Sequence, residues 1–288
     1  VLKQRILQWF DEDIPSMDVG ACVVGNKPAT ATLYCKKVSD KGVVLAGSPF
    51  VNCIFQDVLG CKVEWLNNYA DGCLIHVGEQ EKRVKVAVVT GPCNLLLQGE
   101  RIALNLLSHA SAIATNAHFT VAEARALGYK GQIAGTRKTT PGFRLVEKYA
   151  LIVGGASPHR YDVSQMCMLK DNHIDACNGS IEECVKQAKQ LGGFSLMIEV
   201  ECRTKSDAER AISAGAHVIM LDNFKPDEMK IVAKELKQIS STVLLEVSGG
   251  ISRQNMAPYL TNDIDIISMG TLTQDIDAVE FSFKINKN

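Results

Sequence analysis

The chain has 288 residues, 46% hydrophobic and 22% charged, which is enough apolar content to bury a core as one large α/β unit or two modest domains. Lys and Arg total 31 against 32 Asp and Glu, so overall charge gives no reason to expect nucleic acid or an acidic membrane as a partner. Ten cysteines scattered from Cys22 to Cys202, with no Cys-x-x-Cys pair, read as reduced thiols of a cytoplasmic protein; no apolar run approaches the roughly 18 residues of a membrane span, and residues 1–10 lack a signal-peptide core.

The apolar spacing Leu2, Ile6, Leu7, Phe10 predicts a first helix, closed by acidic residues and Pro15. Thr32–Cys35, Val63–Leu66 and Arg83–Val89 read as strands, the last alternating Val84, Val86 and Val88 with charged or small neighbours. The Ala-rich stretch Arg101–Leu127 reads as one or two linking helices. Beyond Gly131 the rhythm changes. Short apolar runs (Met166–Leu169, Leu196–Val200, Val218–Leu221, Val243–Glu246, Ile264–Ile267) alternate with helical stretches near Ile181–Gln190, Asp207–Ala214, Asp227–Ile239 and Arg253–Leu260. This β/α repeat predicts a parallel barrel or open sheet, whose active site would gather at the carboxyl ends of the strands. Lys170, Glu201, Asp222, Ser248 and Gly270 all occupy such ends. Val279–Ile285 alternates as an added strand.

Chemistry concentrates in three places. Gly135-Thr-Arg-Lys-Thr-Thr-Pro-Gly142 puts three hydroxyls, a guanidinium and an ammonium in one shaped loop suited to a multiply charged oxyanion. A solvated basic turn would read the same way, but Arg137, Lys138, His159, Arg160 and Lys170 lie near successive strand ends, so one cationic pocket can hold them all. Glu201 and Asp222, one β/α unit apart, suit Mg²⁺, sugar hydroxyls or a cationic carbon; the plainer role for Asp222 is a helix cap, and Glu199 shares the strand face of Glu201. Ser248-Gly249-Gly250 and Ser268-Met-Gly270 allow backbone N–H groups to approach a phosphate. His76, His109, His118, His173 and His217 show no metal-ligand spacing and read as structural, and no Walker A, dinucleotide or nucleophile-elbow motif occurs.

Taken in order, Gly99-Glu-Arg-Ile-Ala-Leu-Asn105, Gly135–Gly142 with Arg144 and Glu147-Lys148, His159-Arg-Tyr-Asp162, Leu169-Lys-Asp-Asn-His173, Ile198-Glu-Val-Glu201, Leu221-Asp-Asn-Phe224, Ser248-Gly-Gly250 and Ser268-Met-Gly270 resemble the quinolinate phosphoribosyltransferases. The match spans nearly the whole chain. Departures are minor, such as Val163 where the family often has Leu and Met197 where some members have Lys. The resemblance implies an α/β fold: an N-terminal α/β sandwich over 1–100, an open α/β barrel of fewer than eight strands over 101–274, and a C-terminal strand over 275–288 returning to the first domain. It implies transfer of phosphoribosyl from phosphoribosyl pyrophosphate to quinolinate with loss of CO2, giving nicotinate mononucleotide in NAD biosynthesis, with Mg²⁺ as cofactor.

Carried over residue by residue, Arg137, His159, Arg160 and Lys170 would hold the quinolinate carboxylates, with Lys138 near both substrates. Glu201 and Asp222 would engage the ribose hydroxyls and Mg²⁺, directly or through water, and Ser248, Gly249, Gly250 and Gly270 the 5-phosphate. Glu201, Asp222, Lys138 and Lys170 form the implied catalytic group. The resemblance also implies a homodimer, in some members a hexamer, with Arg101 completing the neighbour's site. The competing readings are a non-catalytic phosphometabolite-binding barrel and a related phosphoribosyltransferase acting on another base.

Overall fold

Small and β-favouring side chains alternate through Thr30–Cys35, and in the computed structural model of the chain this segment is the middle of strand β1 (Pro28–Lys36), with Ala31, Leu33 and Cys35 buried. The structure describes residues 1–36, 41–78 and 81–287. It divides into two units, one of Val1–His118, Gly142–Gly154 and Ile276–Asn288, the other of Phe119–Pro141 and Gly155–Asp275. The further strands are β2 (Val43–Val44), β3 (Lys62–Trp65), β4 (Leu74–Ile75), β5 (Arg83–Pro92), β6 (Gln132–Ala134), β7 (Cys167–Leu169), β8 (Ile198–Cys202), β9 (Val218–Asp222), β10 (Leu244–Ser248), β11 (Ile266–Ser268) and β12 (Phe281–Ile285). The helices are α1 (Leu2–Asp13), α2 (Val19–Val24), α3 (Ser48–Asn52), α4 (Cys93–Ala126), α5 (Arg144–Val153), α6 (Asp171–Ala176), α7 (Ile181–Gly192), α8 (Lys205–Ala214), α9 (Pro226–Ile239) and α10 (Thr271–Gln274).

The first unit is built on an antiparallel sheet in the order β12-β1-β5-β3. Its last strand comes from the end of the chain, with Leu33 opposite Phe283. Phe283 stacks on Phe55 at 5.4 Å between ring centroids, and Phe55 belongs to a π-helical turn, Cys53–Val58, that continues α3. Apolar groups on both sides of the stack are sealed from water, which is where this unit gains its stability. The Ala-rich stretch expected as one or two helices is a single helix, α4, of 34 residues. No helix among the described residues is long and apolar enough to cross a membrane.

The second unit carries a six-stranded parallel sheet in the order β6-β11-β10-β9-β8-β7. Beyond β6 a parallel bridge joins Ala134 to Ser157, while β7 is the other edge, so the barrel stays open. Alternate strand positions, such as Ile198, Val200 and Cys202 of β8 and Leu245 and Val247 of β10, are apolar and buried because helices cover the outer face. Ser180 and Thr204 cap α7 and α8 by accepting the N–H groups of Glu183 and Asp207, and Pro226 opens α9, where a missing N–H costs nothing. Arg210 grips Glu182 through two 2.8 Å bonds, tying α8 to α7, and Lys205 reaches Glu235 of α9 at 2.7 Å.

The structure corrects one predicted element. Arg253–Leu260 is not a helix but a turn followed by a single 3₁₀ turn, Ala257–Tyr259. The Asn255 side chain accepts from Ser252 N–H at 2.8 Å and donates to the Gly250 carbonyl at 2.9 Å, and Pro258 has no N–H to give. These local bonds satisfy the backbone in place of helical ones.

Candidate active site

A cavity of about 450 Å³ opens at the carboxyl ends of the parallel strands. Of the candidate residues it gathers Arg137, Lys138, His159, Arg160, Lys170, Glu201, Asp222, Ser248, Gly249 and Gly250. Parallel pairing explains the convergence, because each strand ends on the same face: Ser248 lies beside Asp222 in register, and Glu201 beside Met220.

On one side the loop after β6 supplies cations. Gly135 N–H bonds the Ser157 carbonyl at 2.9 Å, Lys138 N–H bonds Thr136 Oγ1 at 3.0 Å, and Thr273 of α10 donates to the Lys138 carbonyl at 2.8 Å, so the loop is held at its start and at Lys138. Arg137 Nε is buried without a hydrogen-bond partner. A buried donor in that state costs free energy that an anionic ligand would recover. Arg160 donates to the Met166 carbonyl and the Met168 sulfur, each at 3.3 Å. Burial, and after it the Arg137 charge, lowers its pKa from the ordinary value. Two guanidiniums lining one cavity suit a dianion.

The opposite side is acidic. Lys170, just past β7, forms an ion pair with Glu201 of β8. Asp222 ends β9 and caps no helix, since α9 begins at Pro226 with Lys225 in the cap position. Burial, and next the Glu201 charge, raises the Asp222 carboxyl above its usual range. Arg203 lies 4.0 Å from Asp222 and the Asn223 amide donates to it at 2.7 Å. A carboxylate whose proton affinity is raised by burial and by a second carboxylate beside it fits a divalent cation or sugar hydroxyls, so the donor set is compatible with Mg²⁺.

Between these sides lies a polar floor. His159, at φ +57°, reaches Glu246 of β10 at 2.9 Å, and Ser268 of β11 donates to the same carboxylate at 2.6 Å. Glu199, fully buried, lies 4.0 Å from the His159 ring. Neither of its oxygens has a hydrogen-bond partner, and burial with the nearby Glu246 charge raises its pKa well above the ordinary value. Below the floor, a second cavity of about 420 Å³ opens near the amino ends of the strands and shares His159, Arg160 and Glu246 with the first.

Ser248-Gly249-Gly250 turns with φ +106° and +61° at the glycines. A side chain at Gly249 would sit 2.8 Å from the Asn223 backbone nitrogen, so the turn tolerates only glycine. Gly270 does not line the cavity but lies against Lys138, where a Cβ would come within 3.0 Å of that side chain. Arg101 is exposed on α4 in the first unit and is not among the lining residues. Sequence reasoning missed Glu246: it took the residue as the polar end of an apolar run, although its two-residue offset from Ser248 repeats the spacing of Glu199 from Glu201. Of the other histidines, His217 accepts from Ile198 N–H at 3.0 Å and His173 from Lys170 N–H at 3.1 Å.

An open α/β barrel with arginines on one side of its mouth, paired carboxylates on the other and a glycine turn between strands defines a class: barrel proteins that bind small, multiply anionic, sugar-bearing ligands. Comparison with known proteins narrows it. Residues 17–111 match the N-terminal domain of quinolinate phosphoribosyl transferase, and residues 113–284 its C-terminal domain. Nicotinate-nucleotide pyrophosphorylase [carboxylating] of Dictyostelium discoideum is 45% identical, covering 99% of this chain and 96% of that protein. The protein of the same name from Rattus norvegicus is 46% identical over 96% of this chain and 88% of its own. The solved nicotinate-nucleotide pyrophosphorylase of Francisella tularensis superposes with a TM-score of 0.85 at 29% identity, covering 99% of this chain and 96% of that one. The chain belongs to the quinolinate phosphoribosyl transferase family.

Proposed function

We propose that the chain is a carboxylating nicotinate-nucleotide pyrophosphorylase: it transfers phosphoribosyl from phosphoribosyl pyrophosphate to quinolinate, releasing pyrophosphate and CO2 and forming nicotinate mononucleotide. One observation of the site carries the reading beyond family membership. Arg137 and Arg160 stand in a single cavity, each lining it, with a buried Arg137 Nε that lacks a partner, opposite the Glu201–Asp222 pair. The arginines suit two carboxylates on a pyridine ring, and the acids suit the ribosyl end.

In this reading the pyridine nitrogen bonds to the anomeric carbon as the bond from that carbon to pyrophosphate breaks. Positive charge builds on the sugar at that point, and Glu201 and Asp222 stabilise it. The ring nitrogen is then cationic. The adjacent carboxylate leaves as CO2, its bonding pair stays on the ring carbon beside that cation, and the carbon takes up a proton from the medium. Arg137, Arg160, Lys138 and Lys170 orient the acid, and the Ser248–Gly250 turn receives the 5-phosphate, with Gly270 packed behind Lys138. Glu201 and Asp222 would also hold Mg²⁺, directly or through water, and the metal would neutralise pyrophosphate charge. A homodimer, assembled further into hexamers or not, would bring a neighbour's Arg101 to the site.

The test is product analysis. With quinolinate, phosphoribosyl pyrophosphate and Mg²⁺, chromatography should show nicotinate mononucleotide; with nicotinate as the acid it should show essentially none, because the arginines for the second carboxylate would stay buried without an anion. Equal use of nicotinate would favour the reading as a transferase for another base, and tight binding without product the reading as a non-catalytic barrel.

A further inference from the structure

Glu246 has no place in the chemistry above, yet it is 1% exposed on an otherwise apolar strand, where a carboxylate is costly unless fully engaged. It is engaged on both oxygens. Ser268 Oγ donates to one at 2.6 Å and His159 Nε2 meets the other at 2.9 Å. The direction of the second bond follows from the other ring nitrogen. The Arg160 backbone N–H donates to His159 Nδ1 at 2.7 Å, so that nitrogen carries no proton and the ring proton sits on Nε2, donated to Glu246.

His159 also sits in the left-handed backbone region at φ +57°, which a residue with a Cβ adopts only when its surroundings hold it there. The next residue is Arg160. Glu246 offers only acceptor oxygens, as does a dicarboxylate ligand, so direct contact between them would be repulsive. We infer that Glu246, anchored by Ser268, is a positioning residue: it fixes the His159 ring and backbone, and through the His159–Arg160 bond it sets Arg160 for the pyridine acid. This rests on reading the cavity as a pyridine-dicarboxylate site.

The experiment is a double-mutant cycle of Glu246→Gln and His159→Ala, read by steady-state kinetics in each substrate and by calorimetric binding of quinolinate. Gln keeps the shape but is uncharged and puts an amide NH2 where one carboxylate oxygen now accepts, so the hydrogen bond to His159 loses its charge assistance. Glu246→Gln should raise KM and Kd for quinolinate about tenfold to a hundredfold, the range of a lost hydrogen bond to a charged group. The kcat and the KM for phosphoribosyl pyrophosphate should change less than about threefold, since the loss is in acid binding. On the His159→Ala background the same substitution should add less than about twofold, because residues acting in series are not additive. Ser268→Ala, which removes only the anchor, should shift quinolinate KM in the same direction by less, and it carries the test if Glu246→Gln fails to fold. Equal loss on both backgrounds, or equal damage to both substrates, overturns the inference. Unchanged quinolinate affinity in Glu246→Gln, where the unaltered protein binds quinolinate, overturns it alone; failure of the unaltered protein to bind quinolinate overturns the functional reading and this inference with it.

Discussion

Asp222 and Glu201 stand on adjacent parallel strands at one cavity wall, and the charge of Glu201, after burial, is the main cause holding the Asp222 carboxyl above its usual pKa range. Asp222 in that state gains from a neighbouring positive charge, whether a metal ion or a sugar carbon approaching its transition state. Glu201→Gln and Asp222→Asn should therefore lower kcat by about a hundredfold or more while changing quinolinate affinity little, and chelation of divalent cations should abolish turnover. Steady-state kinetics with and without EDTA make the check; full turnover in EDTA would remove the metal from the account.

The proposed function assigns Arg137 and Arg160 to the other substrate. Each replaced by Ala should weaken use of quinolinate by about 2–5 kcal/mol in kcat/KM, the cost of losing a charge-assisted contact in a site shielded from water. Thermal unfolding should move little, because burial already disfavours the Arg160 charge and leaves the Arg137 Nε without a partner in the free cavity. Near-normal kcat/KM in both variants would place the acid elsewhere.

Much of this site is legible in the sequence. The string Thr136-Arg137-Lys138 advertises anion binding by composition alone, and the β/α rhythm places Lys170, Asp222 and Ser248 at strand ends without any knowledge of contacts. What is not legible is burial. Glu199 and Glu201 share a strand face, but one is sealed without a partner and the other paired to Lys170, a difference made by the neighbouring strands. Glu246 escaped notice because its role depends on Ser268 and His159, residues distant in the chain. Arg253–Leu260 misled because side-chain bonds from Asn255 decide its shape, and these compete with helix formation in a way spacing does not reveal.

Buried thiols give a pH dependence with a defined sign. Burial pushes the Cys35 and Cys202 thiols up to about 12, so the folded protein binds those protons more tightly than the unfolded chain does. Their contribution to stability is complete below the unfolded value of 9.0 and is lost as pH rises toward about 12. At pH near 8 a thiol reagent should label exposed Cys22 rapidly and reach Cys35 and Cys202 only after denaturation. Peptide mapping decides it; labelling of Cys35 or Cys202 at the Cys22 rate would contradict the packing of β1 and β8.

The proposed role of Arg101 in a neighbour's site predicts complementation. Arg101→Ala and Lys138→Ala should each be nearly inactive. Mixed so that subunits exchange, they should regain activity in about half the sites of mixed dimers, since one site carries both lesions and the other neither. A tag-transfer pull-down confirms exchange. Mixed dimers without recovered activity would place Arg101 outside a shared site.

If one cavity couples ribosyl transfer to decarboxylation, the products leave in fixed stoichiometry. Quinolinate labelled in the carboxylate next to the ring nitrogen, given with phosphoribosyl pyrophosphate and Mg²⁺, should yield one labelled CO2 for each pyrophosphate, with nicotinate mononucleotide appearing at the same rate. Pyrophosphate released without labelled CO2, or label retained in the nucleotide, would contradict that coupling.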